Sequence, residues 1–222
     1  MKPDERDRVA KYYDNSLEYL KQENHRHDLV KVSLGKMVNP GDTILDMGCG
    51  TGITSKFMGQ LGANVTAVDI SPKLIAYAQK QYKQRNVKYY VGDITSMTLK
   101  GKTYDGIVLV DVFEHIDPKY TDAVLNTIVR LSGENTWVFL NIPDARYQRA
   151  AREHIADRLQ VIDNALPLTE LIEGFETAGF EITSLDIYGI DAPCQYNTIV
   201  FRRAEILTDA YEKLMCPGEL KS

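Results

Sequence analysis

With 222 residues, of which 44% are hydrophobic and 26% charged, the chain has enough apolar material for a sizeable core, and at roughly 100–200 residues per domain the expectation is one domain with at most a small appendage rather than two independent enzymatic domains. The 26 Lys and Arg against 31 Asp and Glu leave a net charge of −5, so no global basic field draws the chain to a phosphate backbone or an anionic bilayer. Cys49, Cys194 and Cys216 lack a metal-like CxxC spacing, Met1 to Arg8 is charged rather than apolar, and no run approaches about 18 apolar residues. The expectation is a soluble, cytoplasmic protein in a reducing compartment, with neither nucleic acid nor membrane as partner.

Val9, Tyr12, Tyr13, Leu17 and Leu20 fall at spacings of three and four and predict a helix that Pro3 or Asp4 would start. Leu29, Val30, Leu34 and Met37 predict a second, closed by the turn Asn39-Pro40-Gly41. Short β-branched runs then predict strands over Thr43–Met47, Val65–Asp69, Val87–Val91, Gly106–Val110 and Thr136–Ile142, as in a parallel sheet buried on both faces. Ser71-Pro72 and Asp117-Pro118 each place a capping side chain before a proline at the first helical position. They would start helices through Leu74, Ile75 and Ala78 and through Leu125, Ile128 and Val129. This alternation is the βαβ pattern of a doubly wound α/β sheet. A helix from Leu168 through Phe180, with Gly179 near its end, leads to Glu181–Tyr188 and Gln195–Phe201, close enough for an antiparallel pair at the sheet's end. Glu205 to Met215 reads as a last amphipathic helix. The expected organisation is a helical lid or cap over 1–40, a main domain over 41–203 with an insert at about 143–167, and a helical tail over 204–222.

The densest signal is Ile44-Leu45-Asp46-Met47-Gly48-Cys49-Gly50-Thr51-Gly52, an apolar strand running into a glycine turn and then a helix. Without Cβ atoms the turn bends sharply and lets backbone approach a ligand at the carboxyl edge of the sheet. Asp69 ends the second strand, where an acidic side chain can accept both hydroxyls of an adenosine ribose. A dinucleotide fingerprint would need a glycine at Ile53, one residue later than Gly52, and no Tyr has a Lys four residues on, so a nicotinamide oxidoreductase is a distant reading. Asp93 and Asp111, after the third and fourth strands, complete an acidic rim suited to a cationic ligand.

Asp46-Met-Gly-Cys-Gly-Thr-Gly52, Val68-Asp69-Ile70-Ser71, Gly92-Asp93-Ile94, and Tyr104-Asp105 running on to Asp111-Val-Phe-Glu-His115 resemble the successive motifs of the class I S-adenosylmethionine-dependent methyltransferases, from about Gly41 to Arg203. The resemblance implies a Rossmann-like sheet of seven strands in the order 3-2-1-4-5-7-6, strand 7 antiparallel, with helices on both faces. It also implies a cofactor site. Asp46 and the loop of Gly48, Cys49, Gly50 and Gly52 would lie under the methionine portion and Asp69 with Ile70 on the ribose. Asp93 with Ile94 would lie near the adenine, and Asp111 with Val112 at the sulfonium and amino-acid end.

Transfer of a sulfonium methyl group is an in-line displacement that needs alignment and dryness above all; an amine acceptor need only arrive neutral, whereas a hydroxyl gains from a base. His115, just after the fourth strand, is the candidate base, with Glu114 beside it as the second candidate catalytic residue; an oriented residue at a helix start is the alternative for His115. Asp111-x-x-Glu114-His115 is also similar to the Glu-x-x-Glu-His segment of ubiquinone-biosynthesis O-methyltransferases and small-RNA 2′-O-methyltransferases, which bind a divalent metal there, although Asp111 has the shorter reach. No metal is assigned. Tyr147, after the fifth strand, and Tyr13, on the N-terminal lid, are candidate substrate contacts, with helix capping and plain core as the alternatives. Arg26 and His27 would either meet the cofactor carboxylate or form a solvated face. The chain thus reads as a methyltransferase acting on oxygen or nitrogen of a small polar metabolite, a sugar-like group or a natural-product intermediate. A metal-assisted O-methyltransferase on a catechol-like or ribose hydroxyl and a non-catalytic cofactor-binding regulatory module are the alternatives, and monomer and homodimer both stay open.

Overall fold

β1 (Thr43–Met47) lies inside one seven-stranded sheet, paired in parallel with β2 (Asn64–Asp69) on one side and with the central strand β4 (Tyr104–Val110) on the other. β3 (Val87–Val91) continues the sheet beyond β2, and β5 (Ser132–Pro143) continues it beyond β4. β7 (Tyr196–Arg203) runs antiparallel between β5 and β6 (Phe180–Tyr188), so the order is β3-β2-β1-β4-β5-β7-β6, as the motifs imply. The computed structural model describes residues 1–99, 102–154, 160 and 162–204. The helix expected over Glu205 to Met215 lies outside them.

Alternation of side chains along the strands divides the core between the two faces of the sheet. Leu45, Leu109, Val138 and Leu140 belong to one cluster, where Phe175 stacks on Phe201 at 4.2 Å between ring centroids. Ile44, Val65, Val108 and Phe139 belong to the other, closed by Val30, Leu34 and Ile75 from helices. Burying a large apolar side chain stabilises the fold by about 1.5–3 kcal/mol, so these two layers are what holds the strand ends, and hence the site, in register.

Side-chain caps start two of the α-helices, at Asn24 and Ser71, and in four places the helices depart from the expected limits. The expected helix through Leu20 divides into α1 (Pro3–Asn15) and α2 (Leu17–Leu20), because Ser16 leaves the helical region and its hydroxyl donates to the Tyr12 carbonyl at 3.0 Å. The second begins earlier and ends earlier than its apolar spacing suggests. α3 (His25–Leu34) is started by Asn24, whose side chain accepts from the His27 N–H while its own N–H donates to His27 Nδ1. α4 (Ile53–Gln60) follows the glycine turn, and α5 (Pro72–Gln81) starts at Ser71, whose Oγ accepts from Leu74 N at 3.1 Å. Asp117-Pro118 opens a single 3₁₀ turn, and α6 (Thr121–Leu131) begins only after it. α7 (Ala145–His154) lies in the expected insert, and α8 (Leu168–Thr177) stops short of Phe180, which already belongs to β6; Gly179 turns the chain at φ +83°. Among the described residues no helix is long and apolar enough to cross a membrane.

Candidate active site

The carboxyl ends of β1, β2 and β4 open into a cavity of about 740 Å³, in the upper part of the roughly 300–1,000 Å³ range of small-molecule sites. Its floor is the turn between β1 and α4. Gly50 adopts φ +54°, and a Cβ built there would meet nothing within 4 Å, so bare backbone faces the open space. The Gly50 N–H donates to Asp69 Oδ2 at 2.8 Å and the Ser71 N–H to Asp69 Oδ1 at 2.9 Å. Two backbone donors therefore hold the carboxylate at the end of β2, and its remaining lone pairs can accept neighbouring hydroxyls from a ligand. Burial raises the Asp69 pKa, and those backbone N–H groups oppose the rise.

Asp46 lies beneath the turn, accepting from Ser55 Oγ at 2.5 Å, and burial pushes its pKa up to about 7. Gly48, Cys49, Ile70, Ile94 and Val112 line the cavity. Asp93 joins them, with Oδ1 accepting from the Thr95 N–H and hydroxyl and Oδ2 3.4 Å from the Met1 amino group. Gly52 is not among the lining residues. Its φ is +82°, and a Cβ there would stand 2.7 Å from the Tyr89 ring, so its glycine is required by packing beneath the turn.

The opposite wall begins at Asp111, which follows β4 in the left-handed region at φ +54°. Arg26 Nε pairs with Asp111 Oδ2 at 2.8 Å, and an Arg26 N–H donates to the Tyr196 hydroxyl at 3.3 Å. Burial is the largest single influence and works against the Arg26 charge, but Asp111, Tyr196 and Glu114 together outweigh it and raise the guanidinium pKa. Arg26 is thus neither a free anchor nor a solvated residue, and His27 serves the start of α3 while also reaching the cavity wall. A single 3₁₀ turn, Phe113–His115, then brings Glu114 and His115 to the cavity. Glu114 is 2% exposed, and its Oε2 has no hydrogen-bond partner among the described residues. Burial, then the nearby Asp111 charge, raises its pKa.

His115 Nδ1 lies 2.7 Å from the Ile162 carbonyl oxygen. A carbonyl only accepts, so Nδ1 carries the proton and Nε2, 3.6 Å from Glu114 Oε1, holds the lone pair of the neutral ring. Burial lowers the His115 pKa and favours that neutral form. Tyr13 of α1 packs its ring edgewise on His115 at 6.4 Å, with its hydroxyl donating to Gln160 at 2.7 Å. Tyr147, on α7, lines the cavity half-buried.

Asn141, Asp163 and Gln195 were not singled out in the sequence. Asp163 accepts from Gln148 Nε2 at 2.7 Å, and Gln195 accepts from the Ile190 and Asp191 N–H groups, which shapes the turn before β7. Asn141 and Asp163 act on segments that folding brings to them, at Asp111 and Gln148, whereas Gln195 acts within its own turn. Arg26 already neutralises Asp111, and the described residues contain no group of three His, Cys, Asp or Glu side chains able to hold a metal ion.

The family model described as a methyltransferase domain matches residues 10–185. The chain is 30% identical over 128 residues to the ubiquinone biosynthesis O-methyltransferase of Paraburkholderia xenovorans, covering 54% of each protein. It is 39% identical over 82 residues to the mitochondrial ubiquinone biosynthesis O-methyltransferase of Schizosaccharomyces pombe, covering 35% of this chain and 30% of that one. The matches thus span about half, or less, of the length of these curated relatives. Among solved structures, magnesium protoporphyrin IX methyltransferase of Synechocystis, with S-adenosylhomocysteine bound, has a TM-score of 0.73 at 18% identity, covering 89% of this chain and 99% of that one. A Pyrococcus horikoshii protein has a TM-score of 0.70 at 21% identity, covering 83% and 93%. At such identities the two structures speak for the fold alone.

Proposed function

Because the chain belongs to the class I S-adenosylmethionine-dependent methyltransferases, we propose that it methylates an oxygen atom of a small, hydroxylated acceptor, with His115 as general base. The observation that carries this reading is the hydrogen bond from His115 to Ile162, which leaves Nε2 as the proton-accepting nitrogen at the cavity wall. An amine acceptor would have no need of such a base. The names of the curated relatives, O-methyltransferases, favour the same atom.

S-adenosylmethionine, when bound, supplies an activated methyl group on a positively charged sulfur. The residues present fit it. The bare backbone at Gly50 and the anchored Asp69 carboxylate suit the methionine portion and the ribose hydroxyls, and Asp93 with Ile94 suits the adenine. At the other wall, His115 Nε2 would accept the proton that the acceptor hydroxyl gives up on methylation. Tyr13 packs on the imidazole and helps to exclude water, and Tyr147 lines the acceptor side. Tyr13 and Arg26 reach the cavity from α1 and α3, which supports residues 1–40 as a cap over it.

Incubation with methyl-labelled cofactor and a panel of hydroxylated and aminated metabolites tests the proposal. Label transferred to a hydroxyl supports it. Label confined to amines overturns it, and silence across the panel with tight S-adenosylhomocysteine binding points instead to a regulatory module.

A further inference from the structure

Side chains from α3 and β5 meet the Asp111 carboxylate, and side chains from β6 and β7 hold those two in turn. Asp111 Oδ1 accepts from Asn141 Nδ2 at 3.0 Å, and the Asp111 N–H donates to the Asn141 carbonyl at 2.8 Å. Asn141 is fully buried, and its own Oδ1 accepts from the Tyr188 hydroxyl at 2.8 Å and the Thr198 hydroxyl at 3.0 Å. The Tyr188 ring stacks on Tyr196 at 5.5 Å, Tyr196 accepts from Arg26, and Arg26 pairs with Asp111. The ring of contacts is closed.

Its chemistry leaves one arrangement. Turning the Asn141 amide over would press its oxygen against the Asp111 anion, while two hydroxyl donors already hold that oxygen on the other side. Asp111 is moreover a non-glycine residue at φ +54°, a conformation that persists only where the surroundings hold it. Asn141 does so twice, through its side chain and its carbonyl. Asp111 lines the cavity, whereas Asn141, Tyr188 and Thr198 do not.

We propose that Asn141 is a positioning residue: it holds the Asp111 carboxylate and its left-handed backbone toward the cavity, and the Tyr188 and Thr198 hydroxyls in turn orient Asn141. This rests on the reading of Asp111 as a residue of the cofactor site, and it extends that site to three residues without contact to the cavity.

Calorimetric titration with S-adenosylhomocysteine of the parent, Asn141→Ala, Asp111→Ala and the double variant tests it. Each single substitution is expected to weaken binding by about tenfold or more, the equivalent of ~1.4 kcal/mol, with the double variant no weaker than Asp111→Ala. Parent-like binding by Asn141→Ala, or an equal loss from it in the Asp111→Ala background, overturns the proposal alone. Parent-like binding by Asp111→Ala overturns the reading of Asp111 and the proposal with it. Should thermal melting show Asn141→Ala to be unfolded, Tyr188→Phe and Thr198→Val, which remove one donor each, take its place in the same cycle. A purely structural role would lower the melting temperature without this coupling to Asp111 in the binding constant.

Discussion

The side chain of His115 donates from Nδ1 to the carbonyl oxygen of Ile162 at 2.7 Å, so a backbone group 47 residues away selects the tautomer of the candidate base. Replacing His115 with Gln is expected to lower kcat by about 10²–10⁴, the usual contribution of general-base catalysis, with S-adenosylhomocysteine affinity little changed. Burial lowers the His115 pKa below its ordinary 6.5, so the neutral, proton-accepting form persists to lower pH. The profile of kcat/KM against pH should therefore stay level through 6.5 and fall only at lower pH. An acid limb centred at or above 6.5 would contradict the assignment. The same shift sets a stability window: as pH falls from 6.5 toward the lowered folded value, the unfolded chain binds the proton first, and stability declines.

Asp69 accepts from Gly50 and Ser71 and presents its other lone pairs to the cavity. Asp69→Ala should weaken S-adenosylhomocysteine binding by about 2–4 kcal/mol, as expected for losing a charged acceptor to two hydroxyls and loosening the turn beneath. Calorimetry of the two proteins decides this, and equal affinities would remove Asp69 from the ribose.

Asp46 has a folded pKa of about 7 against 3.8 in the unfolded chain, so the folded state holds its proton more tightly. Its contribution to stability is full below 3.8, is lost as pH rises from there to about 7, and is constant above. Asp46→Asn, which can still accept from Ser55, should gain stability relative to the parent across that window, by roughly 2–4 kcal/mol at its upper end. Urea unfolding at pH 4, 6 and 8 measures the gain, and a difference independent of pH would refute it.

Gly52→Ala places a Cβ 2.7 Å from the Tyr89 ring at a φ of +82°. The expected cost is about 1–3 kcal/mol of folding stability, from strain and overpacking together. Because Gly52 stands behind the cavity lining, thermal melting should respond more strongly than cofactor affinity measured on the folded fraction. The reverse ranking would return Gly52 to the site itself.

Local chemistry determined a large part of this molecule. Thr43–Met47 and Val87–Val91 form strands with the limits their β-branched runs indicate, and Ser71-Pro72 starts its helix, because strand propensity and capping depend on neighbours within a few residues. The glycine turn and the acidic residues at the carboxyl ends of β1 to β4 follow from the same kind of evidence, and the motifs they form carried the sheet order, the family and the cofactor. Apolar spacing was a poorer guide to helix ends. Ser16 and Asn24 redirect the chain through single side-chain hydrogen bonds that periodicity does not register.

Tertiary structure alone decided the electrostatics of the site. Arg26 neutralises Asp111 across 85 residues of sequence, Asn141 fixes Asp111 across 30, and Ile162 sets the His115 proton. These are directional contacts of buried polar groups, and each exists only once the two hydrophobic layers have brought distant segments within about 3 Å and excluded the water that would otherwise compete for them.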